Sequence, residues 1–255
     1  MLWYKSWLET RWRFVIGLGL LMLSAASTVV VYPQVVKLLP MASNVDLSGE
    51  IGRRVAESVE LSRDYRGYVW SQWFRQNMTQ LWTLFAVLLG TGGLLAQSAG
   101  GGALFTLSLP VSRNRLLGVR AATGLAELLV LAFIPSLLIA VLSPTVGQTY
   151  GAGNTLVHGA CMFIGGAVFF SLAFLLSTVF SDVWRPLLIV LCVAIMLALS
   201  GHVFPDLARY SLFRVMSAEV YFRGGGLPWL GLTASAAVSV AMLYAATRNI
   251  ARQDF

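Results

Sequence analysis

The sequence predicts an all-α, polytopic membrane protein with six transmembrane helices and an N-terminal interfacial elbow helix. Three observations carry that reading. Of 255 residues, 57% are hydrophobic and only 11% are charged, and mean hydropathy is +0.75. A soluble domain carries roughly 25% charged residues. Uncharged stretches recur at about the 20 apolar residues that cross one bilayer, separated by glycine, proline and arginine. The composition excludes disorder, which needs low hydrophobicity and high charge density, and argues against a water-soluble enzyme. Cys161 and Cys192 both lie in apolar runs, so neither a disulfide framework nor a zinc site is suggested.

Residues 1–13 read as the elbow. Trp3, Trp7 and Phe14 recur at near-helical spacing opposite Lys5, Glu9 and Arg13, a pattern suited to the headgroup plane. The first span is uncharged over residues 14–36; it is too long for a cleaved signal peptide and reads as an uncleaved anchor. An outer loop follows over 33–77. Ser48 is a candidate N-cap there, with Ile51, Val55 and Val59 on one apolar face. Tyr65, Tyr68, Trp70, Trp73 and Phe74 then make an aromatic approach to the second span, 78–97. This loop reads either as a structural cap or as a gate that touches substrate.

The third span covers 119–142 and stops at Ser143-Pro144; the fourth covers 155–180 and ends at Ser181-Asp182. Pro186 opens the fifth, which runs to Phe204 before Pro205. Pro228 precedes the sixth, which ends near Thr247. An even number of spans puts both termini on one side. Lys and Arg are equally numerous in the two sets of connecting pieces, but they sit more densely near the helix ends when the termini are cytoplasmic. The excess of 18 Lys and Arg over 11 Asp and Glu fits anionic headgroups and topology rather than nucleic acid.

The segment 98–120 does not behave like an ordinary loop. Residues 103–109 are too apolar for water and too short to span, so they need a cover of lipid or protein. Pro110, Val111 and Ser112 follow, then Arg113, Arg115 and Arg120 without an acid, which places the segment on the cytoplasmic face. Phe105 to Arg120 resembles the cytoplasmic segment of the ABC-2 type permeases, the membrane subunits of ATP-driven bacterial transporters. The matching residues are Leu109, Pro110, Val111, Ser112 and Arg113, with Arg120 at a position that is often basic. Where many members have an acid and a Gly-Thr pair, this chain has Gln97 and Gly100-Gly101-Gly102-Ala103.

The resemblance implies a single transmembrane permease domain over 1–255 in the bacterial inner membrane, paired with a second permease copy or homologue. It implies that 98–120 is a coupling segment docking on a separate ABC ATP-binding subunit, which would hold ATP and Mg. Phe105, Leu107 and Leu109 would fill a groove on that subunit, with Arg113 and Arg115 facing acids at its rim. Export is the direction that predominates in such permeases. This chain carries no cofactor site and no P-loop: its only lysines, Lys5 and Lys37, lack the preceding glycine.

Glu127 is the one acid inside a span. It reads either as a functional intramembrane charge or as a partner of Arg120, two turns back on the same face. It is also the coupling-ion candidate of an alternative reading, an ion-coupled secondary transporter. His158 and His202 lie near the outer ends of their helices and raise a haem-binding alternative. An intramembrane hydrolase finds little support, since no Gly-x-Ser-x-Gly occurs.

Overall fold

A computed structural model of the chain describes residues 2–42, 49–92, 113–203 and 211–251. Among these, all regular structure is helical: α1 (Leu2–Ala42), α2 (Gly49–Arg63), α3 (Tyr65–Tyr68), a π-helical stretch (Val69–Met78), α4 (Thr79–Gly90), α5 (Arg113–Leu142), a 3₁₀ turn (Ser143–Val146), α6 (Ala152–Leu176), α7 (Trp184–Val203), α8 (Leu212–Met216), α9 (Glu219–Phe222) and α10 (Trp229–Ala251). Four helices are long and apolar enough to cross a membrane: Leu2–Leu39, Asn114–Val146, Ala152–Leu176 and Trp229–Ala251. They coincide with the first, third, fourth and sixth expected spans and make this a membrane-embedded helical bundle.

The helices at the second and fifth expected spans take a different form. α4 has 12 residues, about 18 Å at 1.5 Å per residue, and ends at Gly90 rather than at Gln97. The chain leaves the helix at Thr91, whose backbone is extended, and Gly92 follows with a φ of 91°. α7 begins at Trp184, where the Asp182 carboxylate accepts the Arg185 backbone N–H at 2.7 Å, and Trp184–Ser200 forms a shorter apolar helix.

At two further places the described helices run differently from the expectation. Residues 2–13 are the first turns of α1, not an elbow helix of their own. No proline interrupts them, and Glu9, Thr10 and Arg13 all find partners on other helices of the bundle. The Trp3, Trp7 and Trp12 rings remain exposed, as an interfacial aromatic belt requires. Residues 33–77, expected as an outer loop that includes an amphipathic helix, are helical in most of their described part. α1 continues through Pro33 to Ala42, and α2 forms where the amphipathic helix was expected. The aromatic residues explain this order: Tyr65, Tyr68, Trp70, Trp73 and Phe74 are all buried in the core.

α6 lies at the centre, packed against α4, α5, α8 and α10, while α1 lies along α5. In lipid, helices gain little from hydrophobicity alone, so close packing has to hold them. Glycine supplies it between α4 and α6. A Cβ on Gly90 would stand 2.6 Å from the Phe170 carbonyl oxygen, and one on Gly166 would collide with the Trp82 indole. Hydrogen bonds set the helix directions. Arg13 reaches the end of α4, and the Asn249 amide donates to Thr178 Oγ1 beyond the end of α6 at 2.9 Å. The first turns of α1 and the last turns of α10 therefore share one end of the bundle, the termini end. α2, α3, α8 and α9 gather at the far end.

Candidate functional site

The coupling residues Phe105, Leu107, Leu109, Pro110, Val111 and Ser112 lie outside the described residues. Both stems of their segment are described. Arg113 opens α5, and Arg115 is exposed on its first turn. On the other side, α4 ends at Gly90 and leads into Thr91 and Gly92.

The last carbonyls of any helix have no intrahelical partner and carry the negative end of the dipole. Here two guanidiniums cover them. Arg13 Nη1, from α1, donates to the Leu88 carbonyl at 2.8 Å and to the Thr91 carbonyl at 3.1 Å. Arg120 Nη2, from α5, makes a longer bond of 3.5 Å to the same Thr91 carbonyl. Gly92 fits this corner for two reasons: its positive φ suits glycine, and a Cβ would stand 3.3 Å from Arg120 Nη2. Arg120 is held from its other side, where Nη1 pairs with Glu9 Oε2 at 3.0 Å.

Glu127 sits one step deeper, 5% exposed. The sequence offers it Arg120 as a partner two turns back. Instead Arg120 is drawn to Glu9, and Glu127 Oε1 accepts the Thr10 hydroxyl at 2.6 Å. Glu127 Oε2 is buried without a hydrogen-bond partner among the described residues. The arrangement is a clamp: α1 supplies Glu9, Thr10 and Arg13, α5 supplies Arg120 and Glu127, and α4 supplies its free carbonyls. It fastens three helices at the root of segment 93–112.

The far end is built differently. Tyr32 and Tyr65 meet edge to face with ring centroids 4.8 Å apart, and Trp70 stacks on Phe222 at 4.2 Å. Tyr65 and Ser143 share a hydrogen bond of 2.7 Å. Burial first, and the neighbouring phenols next, push the Tyr68 hydroxyl above its ordinary range; burial raises Tyr65 and Tyr150 likewise. His158 lies fully buried in α6, with Nδ1 2.7 Å from the Asn154 carbonyl oxygen and its ring 4.4 Å from that of Phe74. The His202 side chain lies outside the described residues. Beside this layer a cavity of about 730 Å³ opens between α4, α7 and the α8–α9 corner.

Sequence reasoning missed Thr10, Thr91 and Gly92, and assigned Arg13 to the elbow. The available signal was the Thr91-Gly92 pair after an apolar run, a common helix stop, with arginines near both neighbouring helix ends. Compared with family models, curated proteins and solved structures, the chain matches none of them.

Proposed function

We propose that this chain is the permease subunit of an ATP-driven, ABC-2 type exporter, with six spans and both termini in the cytoplasm. It works with a separate ATP-binding subunit and a second permease copy or homologue. One observation carries the reading: an apolar stub followed by Leu109-Pro110-Val111-Ser112-Arg113 stands between two helices that are clamped together at its root. Residues 103–115 dock on the ATP-binding subunit, and the termini end of the bundle faces the cytoplasm. When two such subunits close on ATP, the displacement enters at 103–115 and reaches α4 and α5 through stems held by Arg13 and Arg120. A segment with free stems would absorb that motion; a clamped one passes it to α1, α4 and α5 together.

The test is co-expression with the P-loop ATPase of a neighbouring reading frame. Phe105, Leu107 and Leu109 changed together to Ala should abolish co-purification of the ATPase while the chain still inserts. Undiminished association of that variant overturns the coupling assignment. The ion-coupled alternative draws on the unpartnered Oε2 of Glu127. It predicts that Glu127→Gln abolishes proton-dependent uptake in vesicles without any ATPase, whereas the permease reading predicts no such uptake to abolish.

A further inference from the structure

We propose that the far-end cavity binds an amphiphile with one anionic head group, the head at Arg75 and the alkyl tail along α7. The proposal rests on the transport reading only in taking this occupant as the cargo; the binding itself stands on the cavity. Its volume, about 730 Å³, falls within the range of small-molecule sites.

The walls are graded. On one side Arg75, near the end of the π-helical stretch, precedes Thr79 and Thr83, which follow at i,i+4 on α4, and the parallel row passes from Gln80 to Leu84. The side chains therefore change from cationic through hydroxyl and amide to aliphatic over about 13 Å. Opposite them, α7 presents Leu191, Ala194, Ile195 and Ala198, an i, i+3, i+4, i+7 stripe in which the two alanines leave room. Ile195 is 58% exposed, so this wall is open sideways, towards lipid. A peptide or sugar would face an apolar wall with no donors, whereas an alkyl chain fits one.

Charge selects the head group. The rim carries Arg75, Arg214, Arg223, Glu57 and Glu219. Glu219 accepts from Arg214 Nε at 2.8 Å and pairs with Arg223 Nη2 at 3.0 Å, and Glu57 lies 3.6 Å from the same Arg223 nitrogen. Both acids thus already face a cation. Arg75 has no ion pair among the described residues; its guanidinium stands over the Trp70 ring, 5.5 Å from the centroid. The roof is fixed in place. Ala218, fully buried with φ 51°, holds a left-handed conformation that costs a residue with a Cβ. Beside it, the Ser217 carbonyl accepts the Trp70 indole N–H at 2.9 Å. Strain of this kind persists where surrounding structure fixes a corner, and this corner carries Glu219.

The experiment uses the full chain, purified without its ATPase in a nonionic detergent, so that binding and coupling fail separately. Adducts are counted by native mass spectrometry with dodecyl phosphate, dodecyltrimethylammonium and inorganic phosphate. Dodecyl phosphate should bind saturably, one per chain, and about tenfold tighter than the cationic amphiphile. Arg75→Gln should lose that preference, and Ala198→Trp, at an exposed position on the cavity wall, should weaken binding without changing the head-group preference. Equal binding of the two amphiphiles, or full retention by Arg75→Gln, overturns the proposal. Inorganic phosphate competing as well as dodecyl phosphate overturns the amphiphile and leaves a free-anion site.

Discussion

The two ends of the bundle use the same residue types to opposite effect. At the termini end, Arg13, Arg120, Glu9 and Glu127 are tied to carbonyls, to a hydroxyl or to one another across three helices. At the far end, Arg214 and Arg223 are tied to Glu219 and Glu57, but Arg75 lines an open cavity with no ion pair among the described residues. A charge tied across helices is a fastening, and its loss damages the fold. A charge held over a ring but facing no acid is available to a ligand, and its loss should damage binding.

The largest effect should come from Arg120→Ala, which strands Glu9 and leaves Arg13 alone at the end of α4. A loss of about 2.5 kcal/mol, measured by reversible unfolding in detergent, is expected because Arg120 bridges the half-buried Glu9 and the Thr91 carbonyl. Adding Glu9→Ala should restore part of that loss. Next in size is Gly166→Leu, which drives a side chain into the Trp82 indole and should cost about 2 kcal/mol as overpacking. Thr10→Val removes one hydrogen bond to a buried carboxylate and should cost about 1.5 kcal/mol.

The smallest effect on stability belongs to Arg75→Gln, within about 0.5 kcal/mol of the parent, although it is the variant that should alter ligand binding most. A large stability loss at position 75, or none at position 120, would break the comparison. The far end also has a pH signature. Tyr65 and Tyr68 are raised above ordinary phenols, so the stability they contribute is present below the unfolded range and lost as pH rises through their folded values. Absorbance titration should show them ionising later than free tyrosine.

The spans that could be read from the sequence were those where length and apolarity decide the matter: α1, α5, α6 and α10 lie where the uncharged runs put them. What could not be read depended on partners far away in the chain. The elbow reading of 1–13 rests on a tryptophan face opposite Lys5, Glu9 and Arg13 at i,i+4, but Glu9 also pairs with Arg120, 111 positions on. Glu127 looked like a partner for Arg120 because the two share a helix face, and it bonds Thr10 instead, 117 positions back. The α7 stripe of Leu191, Ala194, Ile195 and Ala198 is visible as a helical period. Nothing local distinguishes a stripe that faces a cavity from one that faces lipid.

The central claim is that residues 103–115 meet an ATP-binding subunit. A photo-crosslinking residue at Leu107, irradiated in intact cells, tests it most directly. The account predicts one dominant adduct, a P-loop ATPase, which disappears when that gene is deleted. Adducts with lipid alone in cells that express the ATPase would contradict it.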